Sequence, residues 1–124
     1  MTEQIRTGGC QCGAVRFRIK GKLGRPSICH CRMCQKQFGS FFGALVTVPS
    51  DGVGLAIGAF DNPAEIVPLI QWGTEAKLPY VDTLPQLPGE DTMADVSSAP
   101  YLTELVSYQH PDHDTEQWPP EERP

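Results

Sequence analysis

The chain reads as a mainly β protein, built of small antiparallel sheets joined by many turns and a few short helices. Twelve glycines and twelve prolines in 124 residues keep elements short and turns frequent. In "AVRFRIKG", Val15, Phe17 and Ile19 alternate with Arg16, Arg18 and Lys20, the period-two pattern of a half-buried strand. No apolar run approaches the roughly 20 residues that a membrane helix requires. The length suits one domain with a modest core.

The elements follow in order. "GKLGRPS" is a turn, and "CRMCQKQFG" has the composition of a short helix with Gly39 as its C-cap. "SFFGALVTVP" reads as a second strand closed by Pro49, "SDGVG" as a turn, and "LAIGAF" as a third strand. Asp61 and Pro63 suit the cap and first position of a brief helical turn. Between Pro68 and Pro88 the chain is irregular and punctuated by proline. Residues 99–108, "APYLTELVSY", set Leu102, Leu105 and Val106 on one side of a short amphipathic helix. The domain is thus expected over residues 1–108, with 109–124 an acidic, Pro-rich tail. There is no internal repeat.

A net charge of −5 and a pI near 5.0 argue against general nucleic-acid binding, which calls for a basic face. "MTEQIRTGG" lacks the apolar core of a signal peptide, so a cytoplasmic location with reduced thiols is expected. Five cysteines, an odd number, suit a disulfide framework poorly.

Their spacing suits a metal better. Cys29, Cys31 and Cys34 fall within "CHCRMC", and Cys31 and Cys34 share one face of a helical turn. Cys29 would fold over from the preceding loop to complete a triangle of sulfurs. Zinc is borderline-soft and takes tetrahedral sulfur ligands; three protein ligands with one open position mark a catalytic site. Cys10 and Cys12 form a second pair in "GGCQCG", where flanking glycines permit a tight backbone, and this pair needs further ligands to hold a metal. His30 is expected to point away from the sulfurs in an orienting role. His110 and His113, among Pro and Asp, read as part of a solvated segment.

"GGCQCGAVRFRI" followed by "CHCRMCQKQFGSFFGALVTVP" resembles the opening half of the glutathione-dependent formaldehyde-activating enzyme family. "LAIGAFDNP" and "KLPYVDTLPQLP" resemble its closing half, so the likeness covers most of Gly8 to Pro88. The resemblance implies a β-tent of stacked small sheets around zinc, in a cytoplasmic enzyme that joins glutathione and formaldehyde to S-hydroxymethylglutathione. By position, Cys29, Cys31 and Cys34 match the catalytic zinc ligands, and Cys10 and Cys12 match half of a structural zinc set. Trp72, Lys77, Pro79 and Tyr80 resemble a late loop near the substrate site. The family pattern carries a further C-x-x-C before its "GAFD" strand; here only "SDGVG" intervenes, as if the chain were internally shortened near 50–54. A structural zinc contributes on the order of 10 kcal/mol to folding, so a half-site predicts a less stable protein.

The leading expectation is a zinc-dependent carbon–sulfur lyase-type enzyme, with a glutathione-like thiol and a small aldehyde as partners. Arg16, Arg18, Arg25, Arg32 and Lys36 are candidate cations for the carboxylates of such a thiol. Two rival readings accompany it. In one, Cys10, Cys12 and two of the other cysteines pool into a single non-catalytic zinc site. In the other, the thiols form a redox or metal-buffering cluster.

Overall fold

A computed structural model of the chain describes residues 4–91, 100–104 and Gln117. It holds six strands, β1 (Ile5–Gly9), β2 (Arg16–Lys20), β3 (Ser27–Cys29), β4 (Gly43–Thr47), β5 (Gly54–Ala56) and β6 (Ile70–Trp72), with one α-helix, α1 (Arg32–Phe38). Short 3₁₀ turns fill the connections. The class is mainly β, as the short periodic runs predict. No helix among the described residues is long and apolar enough to cross a membrane.

The strands form two sheets. β1 and β2 make an antiparallel hairpin in which Gly8 lies opposite Phe17. The second sheet has the order β5-β4-β3-β6. Its β5-β4 and β4-β3 pairs are antiparallel, whereas β3 and β6 run parallel, with Ser27, Ile28 and Cys29 opposite Ile70, Gln71 and Trp72. That pair departs from the purely antiparallel expectation. β4 turns into β5 through a closed hairpin: Val48 N–H donates to the Val53 carbonyl at 3.1 Å, and Asp51 and Gly52 occupy the turn.

β2 confirms the period-two reading at its centre, since Phe17 and Ile19 pack on the core. Val15 lies outside the strand and is exposed. The core itself is small: Val46, Ile57, Phe60 and Ile66, flanked by Phe17, Ile19, Leu23, Ala44 and Leu55. Phe17 meets Phe60 edge to face, with centroids 5.2 Å apart, and so binds the hairpin to the segment that follows β5.

The expected third strand divides. Gly54–Ala56 is β5, and Ile57–Ala59 winds into a 3₁₀ turn. Ile57 and Phe60 are both buried. Three residues apart, they would face opposite sides of a strand but lie on the same side of a three-residue turn. Asp61 does not cap the next turn, Pro63–Glu65, whose cap position is Asn62 with no side-chain bond. Instead Asp61 clamps the hairpin. Its carboxylate accepts from Arg16 Nη1 at 3.0 Å, from Arg16 Nη2 at 2.5 Å and from Thr7 Oγ1 at 2.6 Å.

In the expected C-terminal helix, Pro100–Glu104 is a 3₁₀ helix. Leu105 and Val106, His110 and His113, and the tail 109–124 apart from Gln117 lie outside the described residues.

Candidate metal centre

The chain brings three sulfurs together by an abrupt change of structure. β3 ends at Cys29, His30 crosses over, Cys31 is the N-cap of α1, and Cys34 lies in the first turn. Cys29 therefore comes from the end of a strand, not from a loop. Cys31 Sγ accepts a hydrogen bond from Cys34 N–H at 3.4 Å, so a thiol replaces the usual hydroxyl or carboxylate cap. At the other end, Gly39 adopts φ 58°, and its N–H donates to the Gln35 carbonyl, as the composition of the helix predicts.

Cys29, Cys31 and Cys34 Sγ atoms all lie within 4.8 Å of one another. Zinc–sulfur bonds of about 2.3 Å would place tetrahedral sulfurs roughly 3.8 Å apart, a spacing this set could reach by small side-chain adjustments. All three cysteines are half-buried. Neighbouring sulfurs also set their proton affinities. The Cys31 thiol is held below its ordinary value, first by the Cys34 backbone N–H and then by the Cys29 thiol. Cys34 is pushed up to about 12, chiefly by burial and then by the two neighbouring thiols. Three convergent sulfurs of this kind could hold a metal ion, whose charge would offset the repulsion among thiolates.

The supporting residues were not singled out by sequence spacing. Gln35 is buried; its Nε2 donates to the His30 carbonyl at 2.7 Å and to the Ala76 carbonyl at 3.1 Å, and its Oε1 accepts from Arg32 Nη1. It thus ties α1 both to the crossover and to the loop after β6. Gly73 completes the wall at φ 63°: a Cβ there would lie 2.8 Å from Cys31 N and 3.1 Å from its Cβ. The sequence signal for Gly73 is faint, a single glycine after the tryptophan of "QWG".

His30 points away from the sulfurs but inward, as one of the most deeply buried residues. Its Nε2 bonds Gln71 Oε1 at 2.8 Å, its ring meets Phe42 edge to face at 5.6 Å, and its backbone N–H donates to the Trp72 carbonyl at 2.9 Å. Its role is to lock β3 and β6 behind the site. Trp72, opposite Cys29 in that ladder, is about half exposed, and Tyr80 stands edge to face with Phe41 at 5.3 Å. Lys77 pairs with Asp82 at 2.6 Å. Among the candidate cations, Arg16 is committed to Asp61 and Arg32 to Gln35.

Cys10 and Cys12 come together in the β1–β2 loop, with sulfurs 3.3 Å apart. Among the described residues, the one group of three or more metal-type donors is Cys29, Cys31 and Cys34, so no pooled site with Cys10 and Cys12 forms. Cys10 is lowered to about 7, mainly by the Val15 N–H and then by the Cys12 thiol.

The model of the glutathione-dependent formaldehyde-activating enzyme family matches residues 5–71, more than half of the 124. The chain belongs to that family. The matched span opens with β1, includes all five cysteines and reaches into β6. No curated protein matches the chain. In this formaldehyde-activating family member the helix cap and the parallel β3–β6 pair position the three sulfurs of Cys29, Cys31 and Cys34.

Proposed function

We propose that the chain is a zinc-dependent carbon–sulfur lyase-type enzyme that adds the thiol of glutathione, or of a similar small molecule, to formaldehyde or another small aldehyde. The observation that carries this reading is the triangle of Cys29, Cys31 and Cys34, half-buried and convergent, in a member of this family. In the addition a carbon–sulfur bond forms, the carbonyl π bond breaks, and the thiol proton ends on the carbonyl oxygen. Cys29, Cys31 and Cys34 would hold the zinc, which when bound supplies a soft Lewis acid suited to a substrate thiolate or a carbonyl oxygen.

The chain's own groups do the positioning. The Cys34 N–H stabilises negative charge on the Cys31 sulfur at the helix cap. Gln35 and Gly73 hold Cys31 against the loop after β6. The exposed Trp72 and the Phe41–Tyr80 pair offer apolar faces for the carbon skeleton of the thiol. A cytoplasmic setting, which keeps all five thiols reduced, suits this chemistry.

The test is the rate of S-hydroxymethyl adduct formation, followed by exchange NMR on the metal-loaded protein. Cys31→Ser is expected to bring that rate down to the uncatalysed level. An unchanged rate overturns the assignment.

A second reading, an inactive or purely structural member, is favoured by one observation. Cys10 and Cys12 meet no third donor among the described residues, and β4 passes into β5 through a short turn at the place where the family resemblance implies more chain. Zinc content separates the two. One zinc per chain that accepts an external thiol as ligand supports the enzyme. None, or one closed to added thiol, supports the structural reading.

A further inference from the structure

The loop between β1 and β2 carries a pair of thiols that the chemistry proposed for Cys29, Cys31 and Cys34 does not use. Its backbone is closed on itself: Gly13 N–H donates to the Cys10 carbonyl at 3.1 Å, and Cys10 N–H donates to the Val15 carbonyl at 3.1 Å. This turn holds the Cys10 and Cys12 sulfurs 3.3 Å apart. A disulfide needs about 2.05 Å, so closing the bond calls for a shift of little more than 1 Å in two side chains. The two sulfurs also differ. Cys10 Sγ receives the Val15 N–H at 3.2 Å, which stabilises negative charge on it, whereas Cys12 is exposed. Two donors fall short of the three or four that zinc takes from a protein, and no third His, Cys, Asp or Glu donor joins them among the described residues.

We propose that Cys10 and Cys12 form a reversible redox dithiol that reduces disulfides of small thiols, with Cys10 as the attacking sulfur and Cys12 as the resolving one. The Cys10 thiolate attacks one sulfur of the disulfide; a mixed disulfide forms and one small thiolate leaves. The Cys12 thiolate then attacks the Cys10 sulfur and expels the second. The chain loses two electrons and two protons in forming the Cys10–Cys12 bond, and the small disulfide gains them as two thiols. The bond would lie in an exposed hairpin loop, where external thiols reach it and reverse the reaction. The proposal does not depend on the carbon–sulfur chemistry of the Cys29 site.

The experiment uses the full, metal-loaded chain, incubated with glutathione disulfide, quenched by alkylation and digested with trypsin. Residues 7–16, bounded by Arg6 and Arg16, leave as one peptide carrying both thiols. The expected product is this peptide unalkylated and lighter by two hydrogens, returning to the doubly alkylated form after dithiothreitol. Cys12→Ser should react at a rate within about twofold of the parent and then stop as a mixed disulfide on Cys10; Cys10→Ser should react roughly tenfold more slowly. Three results overturn the proposal. Both thiols could stay alkylatable in excess glutathione disulfide. The parent chain could stop at the mixed disulfide. Or protection from alkylation could be lifted by a chelator without any reductant, which would make the pair a metal clamp.

Discussion

The two cysteine groups share one sequence idiom, C-x-C, yet the fold treats them differently. Cys29, Cys31 and Cys34 come from a strand end, a helix cap and a first helical turn, and are backed by Gln35, Gly73 and the β3–β6 ladder. Cys10 and Cys12 hang in one hairpin loop, held by its backbone bonds and the Val15 N–H. A convergent third sulfur thus requires a strand end to meet a helix start, backed by elements distant in sequence, whereas a proximal pair requires only a turn. The first arrangement suits a held cation; the second suits a bond that forms and breaks.

The largest effect should come from removing metal. Chelation leaves three thiols crowded at the start of α1, one of them with strongly raised proton affinity. Unfolding free energy should fall by about 5 kcal/mol or more, and the melting temperature by more than about 10 °C. The same chelation applied to Cys10→Ser/Cys12→Ser should produce nearly the same drop, because the cost lies at the other group. A much smaller drop in the double variant would place the stabilising metal at the hairpin and reverse the comparison.

Next in size is the clamp that holds the hairpin to the rest of the molecule. Arg16 and Asp61 are an ion pair with side chains only 14% and 10% exposed, so losing one partner strands the other. Asp61→Ala should cost about 3 kcal/mol in denaturant unfolding. It should leave metal affinity at Cys29, Cys31 and Cys34 within a few-fold of the parent. If metal affinity falls in step with stability, the two groups are coupled, and the separation drawn between them is wrong.

How far these regions are legible in the sequence follows from the same contrast. β2, β4 and α1 with its Gly39 cap carry local signals, a period of two or a glycine after a helical run, and they form close to where those signals lie. The sulfurs of the candidate site are legible too, because their spacing is local. β3 and β6 are not. "SIC" and "IQW" are too short to show a period and follow Pro26 and Pro68; "SIC" becomes a strand by pairing with β4 and β6, and "IQW" only by pairing with β3 across some forty residues. β1, "IRTGG", ends in two glycines that read as a loop until Phe17 and Arg16 pair with them. Gln35 looks like a surface helical residue; its burial arises only when Ala76 arrives from 41 residues away. Asp61 has the chemistry of a cap and is drawn off by Arg16, 45 residues away. What the sequence hides is the long-range pairing that turns a set of ligands into a site.

Gly73→Ala probes that hidden part directly. At φ 63° an alanine is disfavoured by about 1–2 kcal/mol, and its Cβ would press on Cys31 N at 2.8 Å. Stability should fall by about 2 kcal/mol. Turnover should fall by roughly 100-fold, as a displacement of about 1 Å in a positioned group commonly does. The alkylation rate of Cys10 should be unchanged. Loss of stability with full turnover would mean that the wall behind Cys31 is structural only.

The smallest effect is one of reactivity alone. In the metal-free chain at pH 7, Cys10, lowered to about 7, is about half thiolate, while Cys34, raised to about 12, is almost wholly protonated. Because the thiolate is the nucleophile, the alkylation rate of Cys10 should climb with pH, pass its midpoint near 7 and level off, while that of Cys34 goes on rising into alkali. The main cause of the Cys10 shift is the Val15 N–H, so Val15→Pro, which deletes that donor, should carry the midpoint up toward the ordinary thiol value of 9.0. Stability need change little, since Val15 is an exposed loop residue outside both strands. A midpoint that stays near 7 in Val15→Pro would show that the Cys12 thiol and the neighbouring Cys12 and Gly13 N–H groups, not the Val15 N–H, lower the Cys10 thiol. The asymmetry between the two sulfurs of the hairpin would then have lost its structural cause.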